Sequence, residues 1–311
     1  MTQCRACLSK NIKKIGTLKP YNEFQWEYEI FECMECGCRF SSRDYEENYH
    51  EVLHKIEKSP YEFHYEYAKN IKANLHDLEY CEKILRKRLV FSVVLDKVHS
   101  LPKEAKILEV GCSSGYMTAF LHALGYKNSV GVDIATSAIE FAKGCFGDFY
   151  YENVDDFAEF DLIFHSGLIG CVDSPKEFLH YYISRLAKNG MMLFNAPNVQ
   201  SPKELNELWV DTPPPDLVTL FDKKFFEDFL ELQQERIVCN EISSFTLSQQ
   251  KYRAKLFGKE YVGYPANFEK KQKLYTLFDR LFYKVVYFLD KVKLLKRYHD
   301  EYGLIVEINS L

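Results

Sequence analysis

Apolar positions recur with helical spacing in some segments, run together in others and alternate in a third kind, so the chain is read first as a series of elements. Lys106 to Val110 is a nearly continuous apolar run and predicts a strand buried on both faces. Tyr116 to Leu124 sets Phe120, Leu121 and Leu124 on one helical face, and Gly125 ends that helix. Gly111 and Gly115 fall in the turn between strand and helix. Without side chains there, the backbone can bend sharply and approach a ligand, in front of unpaired N–H groups at the helix start. A second short strand, Ser129 to Val132, ends in Asp133, close to the distance at which α/β nucleotide folds place a carboxylate on ribose hydroxyls. The glycine spacing is Gly-x-x-x-Gly, whereas a pyrophosphate-holding dinucleotide fold uses Gly-x-Gly-x-x-Gly.

Around this centre the pattern predicts helical structure over Tyr80 to Leu95, a third strand within Phe149 to Asp156, and a fourth over Asp161 to Phe164. Arg236 to Ile242 and Tyr302 to Ile308 read as the last two strands. Between them Leu274, Leu277, Phe278, Leu281, Val285, Phe288, Leu289 and Val292 form a stripe on a basic amphipathic helix. Such a face packs on its own domain or a second subunit, or lies on a membrane surface. Near the start, Phe24 to Phe31 alternates as a strand.

Two cysteine pairs flank that strand: Cys4-Arg5-Ala6-Cys7 and Cys33-Met34-Glu35-Cys36, the second followed by Gly37. Two Cys-x-x-Cys knuckles suit a tetrahedral four-thiolate zinc site, structural because it leaves no open position. Four buried or redox-active thiols are the alternative, and Cys38 reads as a bystander. A module this small has little core, so the metal is expected to supply much of its stability.

Composition narrows the picture. At 311 residues and 47% hydrophobic content, the chain can bury a sizeable core in one large or two smaller domains. A net charge of −5 argues against a protein that coats nucleic acid by electrostatics alone. The opening residues lack the apolar core of a signal peptide, and no stretch reaches the ~18 apolar residues of a membrane span. A cytoplasmic location is expected, and ten cysteines without a secretion signal point to metal or core roles.

The run Leu108-Glu109-Val110-Gly111-Cys112-Ser113-Ser114-Gly115, followed by Val130-Gly131-Val132-Asp133, resembles a class I S-adenosylmethionine-dependent methyltransferase. Phe160 to Ile163 resembles that family's fourth strand, and Leu186 to Phe194 its helix end, turn and fifth strand. The resemblance implies an α/β, Rossmann-like seven-stranded core with an antiparallel last strand. It also implies S-adenosylmethionine as cofactor, with Glu109, Gly111, Cys112, Gly115 and Asp133 on its methionine and ribose parts. Asp155 is then expected to accept the adenine amino hydrogen, with Ile134 and Val154 sandwiching the ring. The Glu and Glu-His residues frequent after the fourth strand are replaced by Gly167, Gly170 and Cys171.

The cysteine ribbon ahead of such a core is similar to bacterial enzymes that methylate sugars, including enzymes of surface-polysaccharide synthesis. In those enzymes a tyrosine-bearing segment lies over the cofactor, which here corresponds to Tyr45, Tyr49 and His50. They also carry a Pro-Pro-x-His-Leu segment at the acceptor, and Pro214-Pro215-Asp216-Leu217 places Asp216 at the histidine's position. His165, at the carboxyl edge of the fourth strand, is the other candidate base, since an imidazole can take a proton near neutral pH. The expected organisation is a zinc ribbon over 1–44, a helical connector over 45–100 and a methyltransferase domain over 101–311 with a helical insertion at about 249–298. Three functions follow: a sugar methyltransferase acting on oxygen or carbon of a nucleotide sugar or glycan precursor, a zinc-ribbon RNA methyltransferase, or a catalytically inactive cofactor-binding scaffold. The expected partner is a small-molecule or glycan substrate, with homodimer or peripheral membrane contact through the C-terminal helix.

Overall fold

The computed structural model describes residues 3–18, 27–42, 62–155, 157, 159–205, 207–210, 214, 216–231, 237–244 and 304–311. Tyr45, Tyr49, His50 and the insertion expected at about 249–298 lie outside them.

Strands β1 (Ile12–Leu18) and β2 (Tyr28–Cys33) pair antiparallel, and β3 (Arg39–Ser41) adds antiparallel to β2. Tyr28 and Ile30 point inward, as period-two alternation requires. Helix α1 (Glu62–Asn74) follows, then α2 (Leu78–Leu85) and α3 (Leu89–Val98). The helical stretch expected over Tyr80 to Leu95 is divided between two helices. Arg88 leaves the helical region at φ −90°, ψ 122°. Arg86 braces the break, with Nε on Glu82 at 2.7 Å and Nη1 on Asp96 at 2.7 Å. The bend lets Cys81 and Leu85 on one side of it, and Phe91, Val94, Leu95 and Val98 on the other, enter one core.

The main sheet is built from β4 (Ile107–Val110), α4 (Tyr116–Ala123), β5 (Ser129–Val132), α5 (Thr136–Phe146), β6 (Tyr150–Tyr151), β7 (Phe160–Ser166), α6 (Pro175–Ile183) and β8 (Leu186–Ala196). After α7 (Gln200–Leu205), β9 (Thr219–Leu220) and α8 (Lys223–Glu231), it is completed by β10 (Ile237–Ser244) and β11 (Leu304–Ser310). Its seven strands run in the order β10-β11-β8-β7-β4-β5-β6, with β11 antiparallel to both neighbours. Alternate residues feed opposite faces: Leu108, Ile163 and Phe194 enter one core cluster, Ile107, Phe164 and Leu193 the other. Each such side chain contributes ~1.5–3 kcal/mol by leaving water. The third strand falls within the expected Phe149 to Asp156 and is short, pairing only through Gly131 with Tyr150 and Val132 with Tyr151. Gly190 sits where β8 crosses β7, and a Cβ there would lie 2.7 Å from the Phe160 carbonyl.

Strand β9 does not join the main sheet. It pairs with β3, giving a second sheet in the order β1-β2-β3-β9, so the cysteine module and the region after β8 share one ladder. No helix among the described residues is long and apolar enough to cross a membrane.

Candidate functional site

Strand order reverses at β4, which has β5 on one side and β7 on the other, both parallel to it. In open α/β sheets the crevice for a ligand opens at the carboxyl ends of strands flanking such a point. There the 111–115 turn passes through three left-handed residues, Gly111 (φ 69°), Ser113 (φ 47°) and Gly115 (φ 77°). Ser113 adopts without glycine's freedom a conformation that costs an L-residue roughly 1–2 kcal/mol. Its backbone N–H is held by the Asp133 carboxylate, 2.8 Å from Oδ2, while Asp133 Oδ1 accepts from Ala135 N at 3.0 Å. Asp133 thus ties the turn after β4 to the end of β5 and remains half-buried beside it.

The two glycines serve different purposes. A Cβ on Gly111 would come 3.0 Å from Leu168, in a short 3₁₀ turn (Leu168–Gly170) after β7. A Cβ on Gly115 would lie 2.5 Å from the ring of Tyr150, whose hydroxyl donates to the Gly115 carbonyl at 2.7 Å. Gly115 is therefore required by the packing of β6 against the turn. Ser114 Oγ donates to the His64 carbonyl at 2.8 Å, which fastens α1 over the same turn.

Glu109 lies buried under the turn and accepts from Thr118 N at 3.0 Å and Thr118 Oγ1 at 2.5 Å. Burial pushes its carboxyl up to about 8, against the Thr118 hydrogen bonds and the Arg88 charge, which favour ionisation.

The other expected contacts divide. Ile134 follows Asp133 and is 66% exposed, an apolar side chain displayed at the rim beside that carboxylate. Val154 is 1% exposed and belongs to the core, so it does not face Ile134 across a ring as expected. The Cys112 side chain packs with Ile139, Ala142 and Tyr150 and also turns away from the crevice. Its thiol is pushed well up by burial. Asp155 is exposed, and its Oδ1 accepts from Tyr181 Oη at 2.9 Å and Arg185 Nη2 at 3.4 Å. Tyr181 and Arg185 gave no periodic or motif signal, because their role depends on α6 passing beside the loop after β6.

His165 is corrected as a candidate base. It pairs in register between Val110 and Phe194 at the sheet's carboxyl edge, but its ring is 0% exposed. The ring stacks on Phe194 at 4.7 Å and meets Phe178 edge-on at 5.4 Å. Neither nitrogen has a hydrogen-bond partner among the described residues, and burial lowers its pKa to about 3. An imidazole so placed reaches no substrate and is a weak base. Asp216 is half-buried in the turn leading into β9, next to Leu217, which packs on Gly170. Asn195 at the end of β8 accepts from Gly167 N at 2.8 Å and holds the loop after β7 in place.

The four expected cysteines converge. Sγ atoms of Cys4 and Cys36 lie 3.8 Å apart, those of Cys7 and Cys33 3.5 Å, and all four lie within 4.8 Å of one another. Tetrahedral zinc with Zn–S bonds of ~2.3 Å separates its sulfurs by about 3.8 Å, so the donor set fits that ion. The knuckles match: Leu8 N donates to the Cys4 carbonyl and Gly37 N to the Cys33 carbonyl, each at 3.0 Å. Leu8 and Gly37 are both left-handed, at φ 65° and 73°. Cys38 stands outside this set but is not idle, since its buried Sγ accepts from Asp222 N at 3.5 Å, at the start of α8.

The switch point, the 111–115 turn and the Asp133 carboxylate at the next strand end define an α/β nucleotide-binding site in a doubly wound sheet. A family model described as a methyltransferase domain matches residues 77–239, and the chain belongs to that family. It is an S-adenosylmethionine-dependent methyltransferase of class I. No curated protein matches the chain. Among solved structures it is similar to the N-methyltransferase NodS from Bradyrhizobium japonicum WM9 in complex with S-adenosylhomocysteine, at 14% identity, covering 66% of this chain and 78% of that one with a TM-score of 0.36. An S-adenosylmethionine-dependent methyltransferase from Mesorhizobium loti is 13% identical over 69% of this chain and 96% of its own, TM-score 0.42. Magnesium protoporphyrin IX methyltransferase from Synechocystis PCC 6803 is 10% identical over 73% and 83%, TM-score 0.42.

Proposed function

We propose that this methyltransferase acts on a sugar, as a nucleotide sugar or a surface-glycan precursor, at oxygen or carbon, in the cytoplasm. The observation that supports the reading is the β3–β9 pairing, which joins the cysteine module to the segment that follows β8. A module so placed is suited to shaping a pocket for a defined small acceptor, and the net charge of −5 gives no general attraction for RNA.

S-adenosylmethionine supplies a methyl group on a sulfonium. In this reading Asp133 holds the ribose, Ile134 lies on the adenine, and the second oxygen of Asp155 meets the adenine amino group. The Gly111 turn takes the methionine part, with Glu109 beneath it. Cys4, Cys7, Cys33 and Cys36 hold a structural zinc ion. With His165 in the core, Asp216 is the side chain proposed to take the acceptor's proton. Transfer otherwise relies on holding the nucleophile in line with the methyl. The C-terminal helix is proposed to pair two copies or rest on a membrane surface.

The test is a mass profile of nucleotide sugars and surface glycans, with a modified-nucleoside profile of RNA, from cells with and without the gene. The reading predicts loss of one sugar methyl, restored by wild type and not by an Asp133→Ala copy. One missing RNA methyl with unchanged glycans would reassign the acceptor to RNA.

A further inference from the structure

The cysteine module and the donor turn are linked by a short chain of contacts that begins inside a knuckle. Arg5 lies between Cys4 and Cys7, and its side chain is 3% exposed. Its Nε donates to the Ser41 carbonyl at 3.2 Å and its Nη1 to Asp173 Oδ1 at 3.0 Å. Asp173 closes the segment 167–173, which begins at the Gly167–Asn195 bond and includes Leu168, the side chain that lies over Gly111. A second route runs through backbone alone: Ser41 N donates to the Val218 carbonyl at 3.0 Å and Val218 N to the Gly170 carbonyl at 2.8 Å. The segment is therefore gripped at its middle by Val218, the residue before β9, and at its end by Arg5.

The two grips depend on the metal differently. The backbone route passes through strand pairing that needs no sulfur. Arg5 is positioned by the knuckle itself, and without a cation the two knuckles keep their backbone hydrogen bonds but lose the four metal–sulfur bonds that tie them to each other. The guanidinium is buried while the Asp173 carboxylate is half-exposed, so the contact is anchored from the arginine's side.

We infer that Arg5 is a positioning residue that couples occupancy of the four-cysteine site to the 167–173 wall, and through Leu168 to the donor turn. This rests on the zinc reading of the previous subsection. Metal bound at the ribbon then favours the closed wall and tighter donor binding, although none of the four clustered cysteines belongs to the 111–115 turn or the 167–173 segment.

The experiment uses the full chain. Metal content is measured first, then hydrogen exchange of 167–173 and S-adenosylhomocysteine affinity, for wild type before and after chelation and for zinc-loaded Asp173→Asn, Arg5→Ala and Arg5→Lys. Chelation of wild type is expected to speed exchange in 167–173 by about tenfold while 129–146 is unchanged. Asp173→Asn, far from the sulfurs, is expected to do the same with zinc still bound and to weaken S-adenosylhomocysteine by about threefold to tenfold, and chelation then adds little. Arg5→Lys is expected to recover part of what Arg5→Ala loses. Zinc-loaded Asp173→Asn with wild-type exchange, or chelation that loosens only the ribbon, would overturn the coupling with the zinc reading intact. A chain that takes up no zinc would overturn the zinc reading and the coupling with it.

Discussion

The Tyr150 hydroxyl donates to the Gly115 carbonyl at 2.7 Å, and its ring occupies the space that any side chain at 115 would need. Edge strand β6 and the donor turn are thereby fitted to each other. Gly115→Ala combines a clash with a left-handed φ and is expected to cost about 2–4 kcal/mol in urea unfolding. Tyr150→Phe keeps the ring and loses one hydrogen bond, an expected cost of about 1 kcal/mol.

His165 sets an acid limit on stability. Its folded pKa of about 3 lies below the ordinary 6.5, so between these values the unfolded chain binds more protons and stability falls as pH drops. From pH 6.5 to 5 this contributes a loss of about 2 kcal/mol. His165→Phe is expected to flatten unfolding free energy over that window and to retain methyl transfer. Loss of turnover in a folded variant would return the imidazole to the reaction.

Glu109 acts in the opposite sense. A carboxyl raised from 4.5 to about 8 holds its proton in the folded state, so stability falls as pH rises between those values. Glu109→Gln keeps the acceptor for Thr118 and should remove most of this slope, with a gain on the order of 2–3 kcal/mol at pH 8. Chemical denaturation at pH 5 and pH 8 measures it.

Asp133 holds the Ser113 N–H and is proposed to hold the ribose as well. Asp133→Ala is expected to weaken S-adenosylhomocysteine by more than about tenfold by calorimetry, with the fold retained. Unchanged affinity would place the ribose elsewhere.

Mass spectrometry under native conditions should find about one zinc per chain, and none in Cys36→Ser, because a closed site needs all four thiolates. Cys38→Ser, which exchanges the thiol that accepts from Asp222 N for a hydroxyl and lies outside the four-cysteine set, should keep the metal.

Much of the donor site was legible because its signals are local. Gly111 and Asp133 follow the short apolar strands β4 and β5, and Gly115 opens helix α4, all in a stretch readable from its composition. The cysteine pairs were legible for the same reason, since each knuckle is a four-residue unit that turns on itself. The Arg86 break between α2 and α3 was not, because both halves carry helical periodicity and only packing in three dimensions separates them.

The amino-acid sequence by itself determined the elements, the nucleotide turn and the two knuckles, all of which follow from backbone freedom, spacing and period within a few residues. Tertiary structure alone decided which way side chains face and which distant segments meet. It sent His165, Val154 and Cys112 into the core and left Ile134 on the rim. It also brought Arg5 to Asp173, 168 residues away, and β3 to β9. Such contacts are won by burial and by the need of buried polar groups for partners, and neither leaves a mark on sequence spacing.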